Sequence, residues 1–223
     1  GLNSILEPLS KYADSFLRPI LQKTETYLKD TKDVLNLLST LEFDYETDYL
    51  VGLDVESLYT SLPQAETLRV IEDVLFKETW EYNTPRAFIM ECTELALTKN
   101  FFQYEDSFYL QTHGTSMGST FAPSVAGLYV HHLETCRILN IINPYLNHIK
   151  LWKRYIDDVL LIWTGTKEEA QQFFIWLNDQ NTYLKFTSCL DKDNLIFLDL
   201  NLFVSQGKIK KNNKTKPKAR NKS

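Results

Sequence analysis

The chain has 223 residues, 43% of them hydrophobic, and is long enough for one large domain, or a domain with a small appendage, around a sizeable core. Its apolar runs are too short to span a bilayer, so no membrane association is expected, and no charged-then-apolar leader is expected either. Cys92, Cys136 and Cys189 lie far apart without a CxxC pair, which excludes a zinc module or disulfide framework and predicts a reducing, intracellular setting. The net charge of −5 is an average of two different pieces: eight of the 24 basic residues and no acidic one follow residue 207, leaving 16 against 29, or −13, before it. A body that acidic is not by itself a polyanion binder.

In chain order, residues 1–48 read as helical in two pieces, with Leu28, Leu35 and Leu38 near helical spacing. A strand is predicted over residues 49–55, with Asp54 near its end. After it, Pro63 suits a helix's first turn and Leu68, Ile71 and Leu75 share one face. Residues 86–99 read as another helix, and FFQYEDSFYLQ as a hairpin turning near Glu105, Asp106 and Ser107. The stretch GTSMGSTFAPSVAGLYVHHLETCRIL opens with glycines and closes as a helix, in which His131, His132 and Cys136 are read as ordinary helix residues.

In RYIDDVLLIW, Asp157 and Asp158 are expected at the tight turn of a hairpin between two apolar strands. Thr166 and Glu169 form a capping-box pattern opening a helix with Phe173, Phe174 and Leu177 inward. LIFLDLNLFV is predicted as the last strand, and residues 208–223 as a basic, disordered tail. Strands and helices interleave in one α+β body.

Asp54 and the Asp157-Asp158 pair, all at strand termini, would meet at one sheet edge if their strands are adjacent. Two adjacent carboxylates are common at a turn, so the doublet alone says little. Three of them at one edge suit hard cations such as Mg²⁺, which take oxygen ligands and are usually held by one or two carboxylates plus substrate phosphates. Two such ions, about 3.5–4 Å apart, activate a hydroxyl and stabilise a leaving pyrophosphate. Arg154 has two readings, neutralising the aspartates or meeting a phosphate on one side, an exposed strand residue on the other.

GLDVESLYTSLP, QTHGTSMGSTFAPSVAGLYV and RYIDDVLLIW resemble, in order, the first acidic motif, the glycine-rich motif and the two-aspartate motif of the reverse transcriptase palm, and IFLDL resembles a further block. Within that family the wording is similar to Penelope-like retroelements. The resemblance covers about residues 10–205. It implies a palm-type antiparallel sheet backed by helices over residues 49–207, after a partial fingers or connector segment over residues 1–48. Fingers are expected to be incomplete and a thumb absent, since Lys23, Lys29 and Lys32 match no finger motif and no thumb or GIY-YIG endonuclease sequence follows. The opening Gly1 is expected to mark an excerpt.

The resemblance also implies the site. Asp54 and Asp157 would ligate two Mg²⁺ ions, with Mn²⁺ as a substitute, Asp158 would support their charge and geometry, and the Val55 carbonyl would complete the ligand set. Tyr59 would exclude the 2′-hydroxyl and so favour dNTPs. Gln111, Gly114, Met117 and Gly118 would contact template and nucleotide, and Lys185 would protonate the leaving pyrophosphate. The implied activity is that of an RNA-directed DNA polymerase, a nucleotidyltransferase working on dNTPs and an RNA or DNA template with its primer, of retrotransposon origin and nuclear action. The alternative is an inactive retroelement fragment that only binds nucleic acid or a protein partner.

Overall fold

The computed structural model describes residues 5–213. Helices α1 (Glu7–Gln22) and α2 (Thr31–Thr40) lead into strand β1 (Asp48–Val55), a short helix α3 (Leu58–Ser61), and helices α4 (Gln64–Lys77) and α5 (Arg86–Thr98). A hairpin, β2 (Phe101–Tyr104) and β3 (Ser107–Leu110), precedes helix α6 (Ala122–Leu133), which loosens into one π turn at Glu134–Ile138. The chain then runs through β4 (Ile149–Tyr155), β5 (Asp158–Thr164), α7 (Lys167–Asp179) and β6 (Phe186–Asp191) to β7 (Asn194–Phe197), β8 (Leu200–Ser205) and β9 (Lys208–Asn213). No helix among the described residues is long and apolar enough to cross a membrane.

The central sheet has four antiparallel strands in the order β4-β5-β1-β6. Its core strand is β5, whose residues Val159, Leu160, Leu161, Ile162 and Trp163 are all fully buried. A continuous apolar run with period-2 geometry must bury both faces, and this sheet does. On one face Val51, Leu53, Val159 and Leu161 pack against Val70 of α4, Ala126 and Val130 of α6, and Phe173 and Leu177 of α7. On the other, Leu50, Leu160 and Ile162 pack against Val34 and Leu38 of α2 and Leu195, Leu200 and Leu202 of the second sheet, β7-β8-β9. A third apolar cluster joins α1, α4, α5 and α6 through Leu17, Ile71, Ile89, Leu97 and Val125.

Most predicted elements form where their periodicity puts them, and Thr166 and Glu169 make the full reciprocal capping box. Phe173 and Leu177 are buried as expected, with Phe174 half-buried. Two expectations are corrected. LIFLDLNLFV is a hairpin, because Leu198 takes a positive φ of 53° and reverses the chain between paired Phe197 and Leu200. The basic tail also starts later than expected: residues 208–213 form β9, hydrogen-bonded to β8, with Ile209 buried in the core. The rest of the expected tail lies outside the described residues.

The least expected feature is a buried ion pair. Arg154 on β4 is 2% exposed, Glu134 at the end of α6 is fully buried, and Arg154 Nε donates to Glu134 Oε1 at 2.7 Å. Trp152 Nε1 donates to the same oxygen at 3.0 Å and Thr26 Oγ1 to the other at 2.6 Å. Burial alone would push the Glu134 carboxyl up, but the Arg154 charge and the hydrogen bonds from Arg154 and Thr26 override it and hold the pKa down at about 2. The pair therefore stabilises the fold above the ordinary carboxyl value of 4.5 and loses that contribution as pH falls toward about 2.

Glu134→Ala is expected to cost about 3–5 kcal/mol, because it strands a buried guanidinium. Urea denaturation at pH 7 measures this. A loss below about 1 kcal/mol, the value of an exposed pair, would mean that the pair is solvated.

Candidate active site

Strand β1 is the hub of the site. Its Asp54 lies directly opposite Asp158 of β5 on one side and Thr187 of β6 on the other. Asp157 occupies the two-residue turn between paired Tyr155 and Asp158, and its carbonyl accepts from the Val55 N–H at 3.1 Å. The first turn residue, Ile156, has φ 56°, a conformation that a β-branched residue rarely takes and that costs on the order of 1–3 kcal/mol. The sequence thus brings Asp54, Asp157 and Asp158 to one end of the sheet, as expected.

Among the described residues, no side chain ion-pairs or hydrogen-bonds with these three carboxylates, and Arg154 is turned inward to Glu134 instead. Arg154 therefore neither neutralises the aspartates nor lies exposed on its strand. Partial burial raises the Asp54 carboxyl above its ordinary value, and the Asp157 and Glu56 charges add to the rise. Burial likewise raises Asp158, with Asp157 and Asp54 adding to it. Asp54 and Asp158 line an open cleft of about 240 Å³ with Gly52, Thr187, Ser188 and Leu195.

Among the described residues no three His, Cys, Asp or Glu side chains close into a metal cage, and His131, His132 and Cys136 form none either. The donor set at the strand edge is nonetheless the kind that Mg²⁺ accepts: carboxylate oxygens with no protein cation and an open cleft for waters and phosphates. A larger cavity, about 560 Å³, lies elsewhere, lined by Ile20, Lys23, Val74, Lys77, Leu128 and His131.

Tyr59 sits beside the aspartates. It is half-buried, and burial raises its phenol pKa, with the Asp157 charge adding to the rise. The glycine-rich loop is stapled to the same turn: Thr115 N–H donates to the Tyr59 carbonyl at 2.7 Å and Gly114 N–H to the Leu62 carbonyl at 2.8 Å. Gly114 has φ 69°, and a Cβ there would meet Tyr59 O at 2.6 Å, so only glycine fits. Gly118 (φ 93°) is required by conformation alone, with open space around it, and Met117 is 66% exposed.

Two expected site residues are otherwise engaged. The Gln111 side chain accepts from Asn100 Nδ2 at 2.7 Å and donates to the His113 carbonyl at 3.0 Å, so it braces the loop. Lys185 lends its backbone to the site, its carbonyl accepting from Glu56 N–H at 2.8 Å, but its amine donates to the Asn178 carbonyl at 2.8 Å. The side chain of Val55 is buried in the helix-facing core. Sequence reasoning missed Gln64, whose Nε2 donates to the carbonyls of Leu97, Gln111 and Gly114 at 3.0–3.1 Å and locks the loop to α4. No sequence signal marks it, because its partners are all backbone atoms distant in the chain.

No family model and no curated protein matches the sequence. Among solved structures, apo telomerase from Candida tropicalis aligns with a TM-score of 0.62 and 15% identity, over 94% of this chain and 46% of that one. Candida albicans telomerase, solved with a fragment of telomeric RNA, gives 0.65 and 14%, over 93% and 38%. The BmCPV RNA-dependent RNA polymerase gives 0.57 and 14%, over 87% and 19%. The chain therefore has the α+β fold of a polymerase palm, common to reverse transcriptase-like and RNA polymerase-like proteins, and spans less than half the length of these chains.

Gly114→Ala is expected to destabilise the protein by about 1–3 kcal/mol through overpacking, and Gly118→Ala by less, since only its conformation is strained. Thermal melts of the two variants test the difference, and equal losses would remove the steric argument. The aspartates give a pH signature. Raised pKa values mean that the folded state favours the protonated carboxyls, so their contribution is favourable below the ordinary value of 3.8 and is lost as pH rises through the raised pKa. Asp54→Asn and Asp158→Asn are therefore expected to raise Tm at pH 7, with the gain shrinking toward pH 3. A gain independent of pH would contradict the repulsion.

Proposed function

We propose that the chain is the palm of a retroelement reverse transcriptase of Penelope-like type, an RNA-directed DNA polymerase that transfers nucleotides from dNTPs to a primer on an RNA or DNA template. The observation that carries this reading is the set of three uncompensated carboxylates, Asp54, Asp157 and Asp158, at the open end of a polymerase-type sheet. Repulsion among acidic groups with no protein counter-ion makes a site that gains stability from divalent cations. Two Mg²⁺ ions, or Mn²⁺ in their place, would be held by Asp54 and Asp157 with the Val55 carbonyl, and would supply activation of the primer hydroxyl and stabilisation of pyrophosphate.

The chain's own groups divide the remaining work. Asp158, across from Asp54, sets the local charge. Tyr59 is the gate against the 2′-hydroxyl, and the tight coupling of its carbonyl to Thr115 ties that gate to the loop on which template and nucleotide would lie. Gly114 keeps the loop close, and Met117, exposed at its tip, is the apolar surface offered to the base pair. An RNA template accords with the Candida albicans telomerase, solved with an RNA fragment. The amine of Lys185, bound to Asn178, is not assigned the proton-donor role. With the retroelement reading goes action inside the cell, in the nucleus.

The test is primer extension on an RNA template with dNTPs and Mg²⁺, comparing the native chain with Asp157→Ala. Extension that falls at least about 100-fold in the variant is expected, the scale of removing one electrostatic element of a polar active site. Native activity that survives the substitution, or an inactive folded chain that fingers and thumb supplied in a longer protein do not revive, would overturn the reading.

A further inference from the structure

We propose that Arg154 is a positioning residue for Asp157, acting through the carbonyl of Ile156. This rests on the reading of the three aspartates as the site of nucleotidyl transfer. The turn that carries Asp157 has no glycine: its first residue is Ile156 at φ 56°, where a two-residue hairpin turn normally takes glycine. Something other than local preference must hold that backbone.

The hydrogen bonds identify what holds it. Arg154 Nη1 donates to the Ile156 carbonyl at 3.0 Å, which fixes the peptide plane before Asp157. The Val55 N–H donates to the Asp157 carbonyl at 3.1 Å, which fixes the peptide plane after it. With both planes anchored, only the side-chain torsions of Asp157 remain free.

The guanidinium can act as an anchor because it cannot turn. Its other donors reach Glu134 Oε1 at 2.7 Å, Glu134 Oε2 at 3.3 Å and the Gly127 carbonyl of α6 at 2.9 Å. Glu134 is held in turn by Trp152 and Thr26. The Arg154 backbone is also clamped, its N–H donating to the Thr26 carbonyl at 2.7 Å and its carbonyl accepting from Leu28 N–H at 2.8 Å. A planar fork of donors satisfies these directions together; a lysine ammonium on a flexible stem can pair with Glu134 but cannot also hold Gly127 and Ile156.

This separates Arg154 from a residue that merely fills the core. If it acts by holding a strained turn, its importance should fall when the strain is removed. Glycine takes positive φ at no steric cost, so Ile156→Gly supplies that test.

The experiment compares the full chain with Arg154→Lys, Ile156→Gly and the double variant. It reads thermal stability, the Mg²⁺ midpoint from the amide resonances of Asp157 and Asp158, and kcat and KM for dNTP in primer extension. Arg154→Lys is expected to stay folded, raise the Mg²⁺ midpoint and lower kcat by about 10-fold or more, the scale of outer-shell partners of metal ligands, with KM for dNTP little changed. In the Ile156→Gly background the same substitution is expected to change the midpoint by less than about threefold, in keeping with coupling between neighbouring residues. Equal penalties in both backgrounds, or a lowered Tm with unchanged midpoint and turn resonances, would overturn the proposal. Should Arg154→Lys not fold, Glu134→Gln keeps partners for Trp152 and Thr26 while weakening the anchor of the guanidinium, and the same readouts apply. A native chain without extension, not revived by fingers and thumb in a longer protein, refutes the polymerase reading, while the Asp157 and Asp158 resonances still decide whether Arg154 sets the turn.

Discussion

A buried guanidinium must find a carboxylate, and much of this structure depends on which one Arg154 finds. Asp157 lies three positions after it and Asp158 four, yet its partner is Glu134, at the far end of α6. That choice ties β4 to α6, to the loop after α1 through Thr26, and to the hairpin turn through Ile156. It also turns away from the aspartates the basic residue nearest to them in sequence. Among the described residues the one deeply buried positive charge is consumed internally, so the carboxylates at the sheet edge stay uncompensated.

The central sheet explains why those carboxylates share one place. Strands β1 and β5 are buried by helices on one face and by the second sheet on the other, so acidic groups are tolerated only where the sheet runs out. Antiparallel register then sets Asp54 against Asp158, and the two-residue turn adds Asp157. The glycine-rich loop reaches the same end because Gly114 lets its backbone touch that of Tyr59, and Gln64 holds the loop there from α4.

Much of this was legible from residue patterns. The strand ending in Asp54, the helix after Pro63, the apolar strands flanking the aspartate pair and the Thr166 capping box follow from periods of 2 and 3.6 and from cap chemistry. Arg154 itself left a trace, since alternation puts it on the same buried face as Trp152. The turn at Leu198 was not legible, because positive φ was taken by a leucine where glycine or asparagine is the usual signal. Strand β9 was hidden for a similar reason: its lysine-rich composition reads as solvated chain, and only the partner strand β8 and the burial of Ile209 order it.

The sequence alone determined the local grammar of this protein: which segments are strands or helices, where acidic residues end strands, and where glycine is needed. Those properties depend on backbone sterics and on neighbours a few residues away. The tertiary structure alone decided the allocation of charge and hydrogen bonds. Arg154 pairs with Glu134, 20 residues distant; the Gln111 and Lys185 side-chain nitrogens donate to backbone carbonyls; and Asp54 meets Asp158 across about a hundred residues. Such pairings depend on distance in space, which the order of residues does not specify until the apolar faces have packed.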